Sequence, residues 1–262
     1  MIEPLPVAFG LLVGFLVGLT GMGGGALMTP FLITIGMPAP TAIGTDMVYA
    51  TVTKIVGSVQ HYRQSSVNLE VAGFLALGSI PASLFGVQTL EWIKHTFDPA
   101  RVDAIMITII GCVLVLAGGS LIYRTLFMRV PERRGGWRGK GRMSLRRRGF
   151  TVLFGAFGGY LVGLTSVGSG SIMAIILLLL YPLAPAVVVG TDLAHATVLS
   201  LTTGAAHILY GNVDFAMAGM LLLGSVPGVV LGSVAASRVP GTPLKIVLAG
   251  MITFIGLRML IG

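Results

Sequence analysis

Two glycine-rich interruptions set in apolar sequence constrain this chain more than any other feature. Residues 14–30 read GFLVGLTGMGGGALMTP, and residues 159–173 read GYLVGLTSVGSGSIM. In hydrocarbon a broken helix frees backbone N–H and C=O groups that lipid cannot satisfy, so a break persists only where protein or a water-filled cavity covers it. Glycine allows close backbone approach and positive φ. A helix restarting near Gly25 or Gly170 then directs unpaired N–H groups and a positive dipole end into the gap, and two such ends facing each other make an anion site. The competing explanation is that small residues only let helices pack closely within a membrane. Pairing of the breaks favours a bound anion.

The medium is hydrocarbon because 55% of the residues are hydrophobic and 10% charged, with a mean hydropathy of +0.94. Soluble domains carry roughly 25% charged residues. Apolar stretches recur near residues 5–20, 25–37, 40–60, 69–90, 101–123, 150–165, 170–182, 186–208, 214–236 and 243–261. They are continuously apolar where a membrane β-barrel would alternate. The expected fold is an all-α polytopic membrane protein. No Lys or Arg precedes the first stretch, so it reads as a retained segment and not a signal peptide. Cys112, the single cysteine, cannot form an intrachain disulfide and reads as a small packing residue.

The two halves align. Gly18, Leu19, Thr20 and Gly23 match Gly163, Leu164, Thr165 and Gly168 at an offset of 145. Gly44, Thr45 and Asp46 then match Gly190, Thr191 and Asp192 at 146, and His61, Ser79 and Pro81 match His207, Ser225 and Pro227. Each half thus reads as a homologous repeat containing a glycine-broken helix pair and about three further spanning helices. An odd number of crossings per half makes the repeats inverted, as in many secondary transporters, and an even number makes them parallel.

Ten basic residues fall between Arg124 and Arg148 against the single acid Glu132, which leaves the rest of the chain near neutrality despite a net charge of +8. A short basic connector between apolar halves marks a cytoplasmic loop by the positive-inside rule, with contact to anionic lipid as a by-product, and not a nucleic-acid patch. The expected organisation is an N-terminal repeat over 1–123, a basic cytoplasmic linker over 124–149 and a C-terminal repeat over 150–262.

The segments GLTGMGGG and GLTSVGSG, each followed by an apolar stretch, a proline and then A-x-G-T-D or V-x-G-T-D, resemble the sulfite exporter TauE/SafE family of bacterial membrane proteins over nearly the whole chain. The resemblance implies a transporter of sulfur-containing anions, such as sulfite and organosulfonates, in the cytoplasmic (inner) membrane, with export the expected direction. The second half departs from the first in carrying Ser166 and Ser169 where the first has Gly21 and Gly24, so serine hydroxyls add donors at one break only.

Ionisable residues inside a membrane are costly and face cavities or partners. Lys54 lies mid-way along the third stretch. At 100° per residue, Asp46, Lys54, Gly57 and His61 fall within about 80° of one another on a helix. Asp192, Ser200, Thr203 and His207 form the corresponding stripe of the second half, with His195 about 60° to its other side. Ser200 stands where the first half has Lys54, so one fixed cation lies near the pseudo-axis, as a single small anion requires. Snorkelling or a structural ion pair is the alternative for Lys54. Asp46 and Asp192 read either as caps of freed backbone groups, the preferred reading, or as sites for a coupling proton or cation, with His195 the better placed histidine. His61 and His207 are expected to face the headgroups.

The expected substrate site combines Thr20, Gly21, Gly23, Gly24 and Gly25 with Thr165, Ser166, Gly168, Ser169 and Gly170 across the repeat interface near the bilayer midplane, with Lys54 supplying charge. An anion channel, or a transporter of other small anions such as carboxylates, remains the alternative. The sequence has no H-E-x-x-H pair, no Cys/His cluster and no phosphate-binding loop, which argues against an intramembrane enzyme, a metal, a cofactor or direct use of ATP. The expected partners are the small anion, the bilayer and a coupling ion, with assembly into an oligomer left open.

Overall fold

The computed structural model describes residues 4–20, 25–63, 65–127, 144–170, 172–181, 183, 185–235 and 241–262. These form ten helices: α1 (Pro4–Thr20), α2 (Gly25–Thr34), α3 (Ala39–Arg63), α4 (Leu69–Thr96), α5 (Pro99–Phe127), α6 (Leu145–Thr165), α7 (Ile172–Leu180), α8 (Pro185–Leu209), α9 (Phe215–Ala235) and α10 (Gly241–Ile261). No strand occurs among the described residues. Helix α5 runs on to Phe127 and α6 begins at Leu145, so helix extends into both ends of the stretch read as the linker. Residues 128–143 lie outside the described residues.

Among the described residues, three helical segments are long and apolar enough to cross a membrane: Leu69–Thr96, Pro99–Tyr123 and Phe215–Gly232. The distribution of side chains is inverted relative to a water-soluble domain. Leu77, Phe85, Leu116, Phe157, Leu223 and Phe254 are exposed, whereas Asp46, Lys54, Asp192, His195 and Ser200 are buried. Such a surface suits lipid, and the polar interior is what intramembrane ionisable residues require. Cys112 is exposed on α5, so the packing role expected for it does not hold.

Packing is reciprocal between the halves. Helix α1 lies along α9 and α4 along α6, while α3 pairs with α8 and α5 with α10. The first two pairs are in backbone contact. A Cβ built on Gly224 in α9 would stand 1.9 Å from the Val7 carbonyl oxygen of α1, and one on Gly78 in α4 would stand 2.0 Å from that of Val152 in α6. Lipid tails supply little hydrophobic drive for helix association, so close packing of this kind takes its place. Helices α3 and α8 lie between these pairs, since α8 also packs on α4 and α3 on α9. That central position explains why these two carry the polar stripes.

Candidate functional site

The second interruption is visible in the backbone. Helix α6 ends because Ser166 takes a left-handed conformation, with φ of 62°, and its N–H closes on the Val162 carbonyl at 2.8 Å. Gly168 and Gly170 follow at φ of 117° and 109°, a region where side chains are strained and glycine is not. Thr165 secures the turn, donating to the Leu161 carbonyl at 2.7 Å and accepting the Val167 N–H at 3.2 Å. Helix α7 starts at Ile172, two residues later than the position expected from sequence. At the first interruption α1 ends at Thr20 and α2 begins at Gly25. Gly21, Gly23, Gly24 and the side chain of Thr20 lie outside the described residues.

Gly25 brings the start of α2 against the second break. A Cβ there would lie 2.9 Å from the Ser166 carbonyl oxygen and 3.2 Å from Asp46 Oδ2, so the close approach requires glycine. Asp46 Oδ2 accepts the hydroxyls of Thr29 at 2.6 Å and Ser166 at 2.7 Å. Its other oxygen, Oδ1, is buried with no hydrogen-bond partner. The terminus of α2 is thus faced by a carboxylate of the chain itself, with the sign that complements a helix N-terminus.

Lys54 lies toward the far end of the same stripe, fully within the protein. Its ammonium donates to Ser169 Oγ at 2.8 Å and to Ser200 Oγ at 3.0 Å. Ser200 passes its own proton to the Ala196 carbonyl oxygen, which fixes it as the acceptor. Among the described residues the ammonium has no third partner and makes no ion pair. Asp46 and Asp192 act on it through space only. On the other side of Lys54, His195 Nε2 shares a 2.7 Å hydrogen bond with Ser79 of α4, and its Nδ1 is buried without a partner. Tyr49 stands 146 residues before His195 and faces Ser225, which stands 146 after Ser79. Neither hydroxyl there achieves hydrogen-bond geometry.

The geometry corrects two expectations. Asp46 is the eighth residue of α3, too far inside to cap it, and bonds side chains of other elements instead of freed backbone. His207 does not face the headgroups but is buried, with Nε2 3.3 Å from the Gly163 carbonyl oxygen. The side chain of His61 lies outside the described residues. The structure brings Gly25, Asp46 and Ser166 into one cluster and joins Lys54 to Ser169. It adds Thr29, Ser79 and Ser200 as hydrogen-bond partners within this buried group. Sequence reasoning overlooked Thr29 and used Ser79 only to align the halves.

The description "Sulfite exporter TauE/SafE" belongs to a protein family that matches this chain over residues 6–259. The chain belongs to that family. Among curated relatives, the probable membrane transporter protein YjnA of Bacillus subtilis (strain 168) is 40% identical over 97% of this chain and 98% of its own length. Two further probable membrane transporter proteins of the same organism, YdhB and YunE, are 24% and 22% identical, each over 81% of this chain and 81% and 80% of their own lengths. No solved structure matches. The protein is therefore a membrane-embedded transporter, which argues against an enzyme.

Outside the central cluster, a second polar network joins α4 to the α8–α9 turn. Lys94 Nζ donates to Glu91 at 2.9 and 3.0 Å and to Asn212 Oδ1 at 2.6 Å, while Asn212 Nδ2 donates to Glu91 Oε1 at 2.5 Å. Asn212 also approaches His207 Nδ1 at 3.4 Å. Every member but Lys94 is buried. Because a half-satisfied buried network is costly, this one fixes the α8–α9 turn against the first half of the chain.

Proposed function

We propose that the protein is a secondary transporter of small sulfur-containing anions, sulfite or organosulfonates, which it exports across the cytoplasmic membrane by alternating access. One observation carries this reading. The Lys54 ammonium is buried and held only by neutral serine hydroxyls, Ser169 and Ser200, with one N–H free of any described partner. Buried charge is retained where it is paired or where a ligand pairs it, and an anion meeting that N–H completes the pairing.

The site takes in Thr20, Gly21, Gly23, Gly24 and Gly25 from the first break and Thr165, Ser166, Gly168, Ser169 and Gly170 from the second. It lies between two homologous repeats, 1–123 and 150–262, joined by a basic linker on the cytoplasmic side. Reciprocal packing of α1 on α9 and of α4 on α6 supports this division, since exchanging the halves maps one pair onto the other. Rocking of one repeat against the other would then expose Lys54 alternately to the two sides. Asp46, Asp192 and His195 are the candidates to bind a coupling proton or cation.

The test is thermal stabilisation of the detergent-purified protein by sulfite, sulfate, thiosulfate, short sulfonates and matched carboxylates, because a ligand of the folded state raises apparent stability by mass action. A shift with sulfur anions, lost in Lys54→Ala, supports the reading. A shift with carboxylates alone changes the cargo, and saturable counterflow in proteoliposomes separates a carrier from a channel.

A further inference from the structure

The cluster around Lys54 holds a second ligand position that the anion alone does not fill. Asp46 is fully buried, its Oδ2 takes both available hydroxyl protons, from Thr29 and Ser166, and its Oδ1 has no donor. A buried carboxylate with one oxygen unsatisfied is an expensive group unless charge nearby offsets it. The offset in the empty protein is Lys54, which interacts with Asp46 through space.

We propose that Asp46 takes up one proton, on Oδ1, whenever an anion occupies the Lys54 ammonium, so that anion and proton load together and move in the same direction. The inference rests on the anion site proposed above and adds which group carries the proton and the sign of the linkage. An arriving anion competes for Lys54, the cation that offsets the Asp46 carboxylate, and it adds a like charge to a site that already contains Asp192. Protonation of Asp46 removes one of the three negative charges. By reciprocity, the anion raises proton affinity at Asp46 as much as the proton raises anion affinity at Lys54.

Other ionisable groups lie on the elements packed around Asp46. Helices α2 and α9 contribute no ionisable side chain, and α6 presents the Ser166 hydroxyl. On α3 itself lie Tyr49 and Lys54, and on α8 lie Asp192, His195 and His207. Further charged groups near these helices belong to other contacts: Asp103 at Ala39, Asp214 with its N–H on Thr45 and its Oδ1 accepting the Met217 N–H, and the Glu91 and Lys94 pair at Asn212. His195 stands beside Lys54, where a further positive charge is opposed by the ammonium. A monovalent anion loaded with a proton adds no net charge, so flux follows the substrate and pH gradients and not the membrane potential.

A short sulfonate, ionised at every usable pH, is the probe, with isothermal titration of the purified full-length protein in two buffers of different ionisation enthalpy. The expected result is uptake of about one proton per anion, and an affinity falling about tenfold per pH unit where Asp46 is ionised in the empty protein. Asp46→Asn should bind the sulfonate with neither proton uptake nor pH dependence. Binding to the wild type without proton uptake overturns the inference and leaves the anion site standing, as does uptake that survives Asp46→Asn. If Asp46→Asn proves unstable, the two-buffer comparison on the wild type still decides. Absence of any sulfonate binding to the wild type overturns the anion site and the proton linkage with it.

Discussion

Lys54 donates a 3.0 Å hydrogen bond to Ser200, the residue 146 positions later in the chain and its counterpart when the two halves are aligned. Under the proposed division into two repeats, side chains that meet their own counterparts lie beside the axis that relates them. Two lysines there would repel each other, and two serines would leave the centre without charge. The observed pair puts one ammonium at the centre, held by the hydroxyl of its counterpart.

From that relationship follows the behaviour of Lys54→Met. A hydrogen bond to a charged group contributes about 2 kcal/mol, so the variant should bind a short sulfonate roughly 30-fold more weakly. Removing the ammonium also leaves the buried Asp46 and Asp192 carboxylates without the charge that offsets them, so the ligand-free variant should melt lower than the wild type. Titration calorimetry and a melting curve on the same preparation check both halves of the statement. An unchanged dissociation constant would remove Lys54 from the site.

Gly224 is a test of packing alone. A valine there drives its Cβ toward the Val7 carbonyl oxygen, 1.9 Å away, so α1 and α9 must separate. Overpacking costs about 1–3 kcal/mol, and the melting temperature of Gly224→Val should fall. Gly219→Ala on the same helix meets nothing within 4 Å. It should leave stability unchanged or raise it by up to about 1 kcal/mol, because alanine favours helix.

Asn212 links two charged groups of α4 to the α8–α9 turn. Asn212→Ala leaves the Lys94 and Glu91 pair intact but strips one acceptor and one donor from a mostly buried network, at about 1–3 kcal/mol. A double-mutant cycle with Glu91→Ala, read from melting or denaturant curves, should give a combined loss smaller than the sum of the single ones. Strict additivity would mean that the bridge contributes nothing beyond its separate contacts.

Much of this architecture was legible because it depends on the chain's own period. Asp46 and Lys54 share a face of α3 by helical spacing, and the offset of 146 pairs Lys54 with Ser200 before any contact is known. The glycines were legible in number but not in use. Gly14 and Gly159 belong to the repeated motifs read as breaks, yet they sit inside α1 and α6, where a Cβ would lie 2.4 Å from the Ser225 carbonyl oxygen and 2.3 Å from that of Ser79. Gly25, Gly168 and Gly170 instead serve the turns and the approach to Asp46. No local pattern separates these uses, because they differ in what the neighbouring helix presents. The same limit hid Thr29 and Asn212, whose partners lie 17 and about 120 residues away in the chain. It also misplaced His207, since a position near a helix end looks exposed until the α8–α9 turn folds over it.

The basic linker makes the last prediction one of orientation. Helix α5 has 29 residues, about 43 Å at 1.5 Å per residue, which exceeds a hydrocarbon core of about 30 Å. Its two ends therefore emerge on opposite faces. If the Arg-rich segment lies on the cytoplasmic side, as proposed, Asp98, exposed at the other end of α5 and paired with Arg101 at 3.5 Å, should face outward. In a Cys112→Ala background, Asp98→Cys should react with a membrane-impermeant maleimide added to intact cells. Arg138→Cys, in the linker, should react only after the membrane is permeabilised. Asp98 also accepts the Arg101 N–H at 3.1 Å at the start of α5, so its substitution should cost about 1–2 kcal/mol, and a melting curve on the variant shows that labelling reports on folded protein. The reverse pattern would place the linker outside and invert the proposed direction of every helix.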